Sequence, residues 1–591
     1  MLADYKQRAD AARAQGQKLR KQSDRLAWMR LAAFVIGIGI FVFCCNFGLP
    51  YALGFVILFL LGFNRFVAYH QNIESQATHY EQLSFINEKE IQFLNHDIQG
   101  FDAGEDFQNP EHPYSVDLDI FGSYSFFQYL NRTSTAMGRK RLATMLLYPA
   151  THQEIGLRQA AIAELSTKID WRQDFLARGI NTNDNLSHRD ALEKWLAQAP
   201  IIKGNRFLEL SLWFAPLVFL AILGLTIYTK ISGLSILFFV YPAIVNRLIL
   251  EKTNEAHRQV SQNKTILEKY STLIQCIENE SFTSDKLIHL KQNLVHENGN
   301  ATAAMQRLAS LSSQLDTRLN MLTVVLQISV LWDSQWIFRL DNWKTEHGKS
   351  ILRWLETLQE MDALISLGST YANNPNWNFP TISNDATIMA LAMGHPLIHK
   401  NKRICNDFGM PSEGHLKLLT GSNMAGKSTF LRTIGSNLFL ASIGMPTCTK
   451  SMQTPVLQVF TSMRTQDALG ESTSSFYAEL KRLKTIIEAT EQRQDIFFLL
   501  DEILKGTNSN DRHSGSKALI TQLIENKGAG IVATHDLELG VMEALSNATI
   551  ENICMEVDII NDKLSFDYKL KKGVSKSFNA TYLMRGMGIK V

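Results

Sequence analysis

The chain has 591 residues, room by length alone for about four domains. Its 45% hydrophobic and 20% charged content excludes a disordered or collagen-like polymer. With 59 Lys+Arg against 57 Asp+Glu, net +2, it cannot hold nucleic acid by bulk charge, so any such binding uses local basic patches. Six cysteines, of which only Cys44 and Cys45 lie close together, give neither a disulfide framework nor a metal-ligand spacing. They point to a reducing, cytosolic setting for the soluble part.

Residues 1–30 form a basic segment carrying Lys6, Arg8, Arg13, Lys18, Arg20, Lys21, Arg25 and Arg30. Residues 31–65 then read as a transmembrane hairpin, nearly all apolar and interrupted at Asn46-Phe47-Gly48-Leu49-Pro50. A second hairpin is expected over 207–249, broken at Thr229-Lys230-Ile231-Ser232-Gly233. Each arm is short to adequate for a bilayer of roughly 30 Å. The alternative is a pair of buried core hairpins, which the shorter arms would suit. Apolar stretches of this length without a carboxylate are rare in soluble cores, so the expectation is four transmembrane helices. The basic flanks place the N-terminus, the segment between the hairpins and the C-terminal part in the cytosol, at an inner or cytoplasmic membrane. No cleavable signal pattern is present, because the second apolar run follows the first at once.

Residues 66–206 and 250–385 carry helical apolar spacing with few Pro or Gly, the two parts of a helical core. Long helices acting as levers or as a dimer-forming bundle suit this region, and plain helical packing is the other reading. Residues 386–591 change to short apolar runs alternating with helical stretches, the pattern of an α/β domain.

That domain carries the chemistry. Leu416–Thr420 reads as a buried strand running into Gly421, Ser422, Asn423, Met424, Ala425, Gly426, Lys427, Ser428 and Thr429, with a helix over 430–440. The spacing G-x-x-x-x-G-K-S between strand and helix is a phosphate-binding loop. Its backbone N–H groups turn in around the phosphates, Lys427 reaches the β and γ phosphates, and Ser428 offers a hydroxyl to Mg²⁺. A second apolar strand, 496–500, ends in Asp501-Glu502. Asp501 is the expected Mg²⁺ ligand and Glu502 the base for the attacking water. A third strand, 530–534, delivers His535 to the same edge, in reach of the γ-phosphate.

Thr420 to Thr429, Leu500-Asp501-Glu502-Ile503 with Gly506-Thr507, and Ala533-Thr534-His535 closely resemble the ATPase domain of the MutS mismatch-repair family. The resemblance runs on through Gly394-His395-Pro396-Leu397, Asn406-Asp407, Met463 to Leu480 and Lys572 to Phe578. A weaker similarity to the family's helical core covers Leu118 to Leu165, through Thr135-Ala136-Met137-Gly138 and Arg158, and resumes near Trp354 to Leu367. The resemblance implies an ABC-type P-loop ATPase working as a homodimer. It also implies that Ser474 is the signature serine reaching the γ-phosphate bound by the other subunit; a helix cap before Phe476 is the simpler reading of that serine.

Leu504, Lys505 and Arg512 depart from the family pattern, at positions usually held by a small residue, Arg and Gly, which puts the coupling of the two sites in question. Before Tyr114 there is neither room for a mismatch-reading domain nor a Phe-x-Glu wedge. No strand-rich clamp interrupts residues 251–372, and no fused nuclease is expected after Val591. The sequence therefore reads as a membrane-anchored, dimeric MutS-like ATPase that uses ATP and Mg²⁺ and contacts DNA through non-specific phosphate contacts. The alternative is a DNA-independent membrane ATPase that remodels or moves a membrane or cytosolic partner.

Overall fold

The computed structural model describes the chain except residues 181–183, 231–232, 234–235, 261–263, 297–298, 317–325, 328, 423–424, 465–474, 494, 547, 561–562 and 577–591. The basic segment and the first apolar arm form one unbroken helix, α1 (Leu2–Cys45), which turns back at Gly48 into α2 (Leu49–Leu94). In the basic half of α1 the buried residues are Tyr5, Ala9, Ala12, Gly16, Leu19, Ser23 and Leu26, alternating steps of four and three, the repeat of a coiled-coil seam. Small side chains there let the helices approach closely: a Cβ on Gly16 would lie 3.4 Å from the Glu81 side chain. The seam also carries hydrogen bonds, between Ser23 Oγ and His70 Nε2 at 3.0 Å and from Ser84 Oγ to the Ala9 carbonyl at 3.1 Å. The result is an antiparallel stalk.

Beyond the stalk the hairpin presents its apolar side chains outward, with Val35 60% and Leu58 72% exposed. Among the described residues three helices are long and apolar enough to cross a membrane: α1, α2 and Arg206–Thr229. Four arms were expected. The fourth is also helical, Leu237–Val260, but Asn246 and Arg247 interrupt its apolar stretch soon after it begins.

The helical core is built around the helix Trp332–Asn373, whose 42 residues span roughly 60 Å at 1.5 Å per residue. Near its start, Asp341 accepts hydrogen bonds from the Ile202 and Lys203 amides at 2.7 and 3.1 Å, fixing the entry to the second hairpin. Further along, the fully buried Asp362 accepts from the Ser134 and Thr135 amides at 3.0 and 2.9 Å and from the Thr135 hydroxyl at 2.7 Å. These donors lead into the helix Ala136–Leu147, whose N-cap Thr135 accepts from the Gly138 amide at 2.9 Å, so the carboxylate holds that cap in place across 227 residues of sequence. A Cβ on Gly138 would sit 2.2 Å from Asp362 Oδ2; only glycine permits this approach. Burial pushes the Asp362 carboxyl up to about 6.

Helices dominate from 251 to 373, as the spacing predicts; the described strands there are the two-residue β1 (Val295–His296) and β2 (Gly299–Asn300). The C-terminal domain has two sheets. The first is mixed: β3 (Thr381–Ile382), β4 (Thr387–Met393), β5 (Asn406–Pro411) and β7 (Ser451–Thr454), in the order β3-β7-β4-β5. The second contains β6 (Leu416–Gly421), β8 (Gln458–Ser462), β9 (Ile496–Asp501), β10 (Ala529–Thr534), β11 (Ile550–Ile560) and β12 (Lys563–Lys572). Its order is β12-β11-β6-β10-β9-β8, parallel from β11 to β8, with β12 antiparallel at the edge. Its central strands are buried along almost their whole length, as expected where helices cover both faces. Phe497 and Leu499 enter the core shared with the helical domain, while Phe498 and Leu500 pack into a separate cluster with Leu519 and Leu523, the alternation a strand imposes.

If Asp362 and Gly138 act as one unit, Asp362→Ala and Gly138→Ala should each lower the thermal midpoint of the full chain by roughly 1 to 3 °C. The double variant should lose clearly less than the sum, because removing the carboxylate makes room for the new methyl. Strictly additive losses in a thermal unfolding series would separate the two residues.

Candidate nucleotide site

β6 ends at Gly421, and the helix Lys427–Ser442 begins after Gly426; the helix starts three residues earlier than the sequence spacing indicated. Gly421 (φ +152°) and Gly426 (φ +94°) both adopt conformations that side chains disfavour. A Cβ on Gly421 would strike the Met555 carbonyl at 2.5 Å, and one on Gly426 the Tyr568 ring at 2.8 Å. Asn423 and Met424 lie outside the described residues. Ala425 is buried, Ser422 half-buried, and Ser428 and Thr429 are exposed in the first turn, where unpaired helix N–H groups favour an anion.

Lys427 is 2% exposed, and its ammonium donates to the carbonyls of Gly421 at 2.8 Å and Ser422 at 3.0 Å, with His535 Nε2 at 3.4 Å. Burial pulls its pKa down to about 8, against the opposing pull of Asp501 and Glu502. The register aligns Thr534 with Thr420 and Ala533 with Asp501, which brings His535, Asp501 and Glu502 to the same sheet edge as the loop. β10 stands between β6 and β9. The strand of Asp501 and Glu502 is therefore next but one to the loop, and His535 occupies the intervening position.

Glu502 turns out of the strand at φ +52°, with its amide donating to the Ala533 carbonyl at 2.9 Å. One carboxylate oxygen meets His535 Nε2 at 2.5 Å and the other the Lys505 ammonium at 3.0 Å. The His535 contact is the largest cause holding this carboxyl down at about 2. Asp501 Oδ1 is buried with no hydrogen-bond partner, a costly state for a carboxylate. A carboxylate oxygen without a protein partner and an exposed serine hydroxyl in the helix's first turn are the kind of oxygen donors Mg²⁺ takes.

Ser474 lies outside the described residues. The helix that follows, Ser475–Gln492, supplies a residue the sequence reading did not assign: buried Glu479, whose Oε1 accepts from the Leu504 amide at 2.5 Å. Glu479 thereby holds the turn after Glu502, and burial pushes its pKa up. The departures find places here. Leu504 packs where Gly515 leaves room, 2.7 Å from the position of an added Cβ, Lys505 pairs with Glu502, and Arg512 is exposed on the helix Ser509–Glu525. Tyr568, also unassigned, lays its ring against Gly426 with Phe566 stacked 5.8 Å behind it. Asn406 fixes that hairpin through the Tyr568 carbonyl and the Leu570 amide, both at 3.0 Å.

The helical core reaches the same edge. Asp117 accepts from Thr461 Oγ1 at 2.7 Å and from the Met463 and Arg464 amides at 3.2 and 3.0 Å, just before the segment that contains Ser474. Leu118 presses on Gly435 of the phosphate-loop helix, 2.8 Å from the position of a Cβ.

With this geometry in view, comparison with known proteins gives a consistent result: residues 417–585 match the family described as MutS domain V. This C-terminal part of the chain is similar to the MutS family. It is 31% identical over 221 residues to a DNA mismatch repair protein MutS of Aquifex pyrophilus, covering 37% of this chain and 25% of that protein. The corresponding protein of Thermotoga neapolitana is 31% identical over 251 residues, covering 42% and 30%, and that of a Geobacillus species 31% over 225 residues, covering 37% and 26%. The chain thus spans at most about a third of the length of these MutS relatives.

Gly426→Ala tests the loop directly, because the added methyl meets both an unfavourable φ and the Tyr568 ring. Binding of a fluorescent ATP analogue should weaken by roughly tenfold or more, about 1.4 kcal/mol, and adding Tyr568→Ala should recover only the part due to the ring. Unchanged affinity in the single variant would show that ATP does not use this loop.

Proposed function

We propose that this protein is a MutS-family ATPase that binds ATP and Mg²⁺ at the β6 edge and hydrolyses ATP as a homodimer. The observation that carries this reading is the convergence of Lys427, Asp501, Glu502 and His535 on one edge of the parallel sheet beside the phosphate loop. The loop amides hold the phosphates, and Lys427 exchanges its two carbonyl partners for the β and γ phosphates. Asp501 and Ser428 hold Mg²⁺, which would neutralise phosphate charge as it develops. Glu502 orients the attacking water and takes its proton. While it is bonded to His535 and Lys505 the carboxylate is a weak base; when His535 turns to the γ-phosphate that restraint lifts and basicity rises. Ser474 completes the site across the dimer, and Tyr568 offers a face on which the base stacks.

In this reading the ATP cycle serves DNA transactions of the kind named for the MutS relatives, with duplex held through phosphate contacts. Glu502→Gln should bind Mg-ATP with near-parent affinity and lose at least about a hundredfold in turnover, the lower range for a general base. Turnover within a few-fold of the parent removes the assignment. Duplex DNA that accelerates the parent's turnover supports the DNA reading. Turnover indifferent to DNA but dependent on lipid supports the alternative, a membrane machine acting on a membrane or cytosolic partner.

The outward apolar hairpins favour a membrane anchor under either reading. We propose that they cross an inner membrane, with the stalk, the helical core and the ATPase domain in the cytosol. In a cysteine-free background, a cysteine placed at Lys230 should react with an impermeant maleimide on intact spheroplasts, and one placed at Lys18 only after permeabilisation. Equal labelling of both positions would exclude this topology.

A further inference from the structure

Where the start of α1 meets the helical core there is a cavity of about 450 Å³, bordered by Tyr5, Arg8, Ser166, Ile169, Arg172 and Tyr371. Arg172 is 3% exposed. Its guanidinium donates to Ser369 Oγ at 2.5 Å and to the Ser166 carbonyl at 3.2 Å, while its Nε is buried without a partner. No carboxylate among the described residues lies within ion-pair distance of it. The nearby Glu90 is already engaged by Arg132 at 2.8 Å and by Asn373 at 2.5 Å. The buried group of Tyr5, Glu90, Arg132, Arg172 and Asn373 therefore carries two guanidinium charges against one carboxylate.

A buried cation without a counter-charge is costly, several kcal/mol per ion even after relaxation, and an unfilled N–H on it adds to that cost. The cavity wall supplies a second anion-favouring feature, the start of the helix Ile169–Ile180, where unpaired amides and the helix dipole favour negative charge. At its mouth the charges are already matched: Arg8 pairs with Asp170 at 2.5 Å, and Asp4 with the chain's amino group at 3.0 Å. The unmet charge is the one inside.

We infer that this cavity is a binding site for a small organic anion, a phosphate monoester or carboxylate whose oxyanion sits on Arg172 and whose organic part lies against Tyr371. The volume exceeds what one inorganic phosphate would fill, which is why the class is an organic anion. The walls come from the root of the stalk, from the helix Ile169–Ile180 and from the end of the helix Trp332–Asn373. A ligand here joins the hairpin-bearing α1 to the helix that leads into the ATPase domain. It lies away from the nucleotide site and does not depend on the function proposed above.

The test uses the full-length protein in detergent, in a Lys427→Ala background that silences the phosphate loop. The probes are phenyl phosphate, benzoate and inorganic phosphate, against chloride at equal ionic strength. Phenyl phosphate or benzoate at tenfold excess over its Kd should raise the apparent unfolding midpoint by roughly 1 °C, and inorganic phosphate less. Arg172→Met should abolish the shift while leaving the ligand-free midpoint at or above that of the parent, because it removes an unpaired buried charge. Ala372→Trp, at the half-buried rim, should abolish the shift by filling the cavity and keeps the test open if Arg172→Met does not fold. No shift with any probe, or a shift that survives in the folded variants, overturns the proposal and leaves Arg172 a structural residue.

Discussion

The architecture depends on one buried carboxylate. Asp362 sits fully buried in the long helix, yet it holds the N-cap Thr135 of a helix that begins more than two hundred residues earlier, and it does so only because Gly138 leaves space for it. Around it a second set of contacts closes: Lys269 donates to the Ser134 carbonyl at 2.9 Å, and Asp184 accepts from the Ala136 amide at 3.0 Å and from the Tyr270 hydroxyl at 2.8 Å. Ionised groups this deep are tolerated only when their hydrogen-bonding capacity is met, and here backbone amides meet it.

From that point the packing runs in both directions. Toward the nucleotide site, the segment after α2 lays Tyr114 and Phe126 against Phe439 of the phosphate-loop helix, and Asp117 and Arg482 tie the strand end at Thr461 to the core. Toward the hairpins, the helix Trp332–Asn373 holds the second hairpin through Asp341 at one end and the stalk through Asn373, which accepts from Tyr5 at 2.9 Å, at the other. A continuous helix is stiff over this length, because every internal residue adds a backbone hydrogen bond. The helix thus joins the stalk and the second hairpin to one body.

The nucleotide site also shows how family departures are absorbed. Lys505 offers Glu502 a single ammonium rather than a planar fork, enough for an ion pair but without bidentate orientation. Leu504 adds bulk that the opposing Gly515 accommodates, and the turn keeps its shape because Glu479 receives the Leu504 amide. The geometry at Glu502 is preserved by residues outside the signature motifs.

The sequence by itself determined the local features: the glycine-flanked turn from β6 into the helix Lys427–Ser442, the strands that end in Asp501 and Thr534, the helical character of the core and the outward apolar first hairpin. Each is set by short-range physics, namely glycines where φ must be positive, continuous apolar runs for strands covered on both faces, and helical spacing elsewhere. The seam of Ala9, Ala12, Gly16 and Ser23 was also legible in principle, since its repeat is regular, but small and polar residues give little apolar signal. Only the tertiary structure decided what depends on contacts remote in sequence. It inserted β10 between β6 and β9, so that His535 rather than Glu502 stands next to the loop. It brought Glu479 under the turn, Tyr568 onto Gly426 and Asp362 onto Gly138, and it left Arg172 without a counter-charge. Strand order, caps from distant helices and the balance of buried charge are set by which surfaces meet, and no local pattern of residues encodes that.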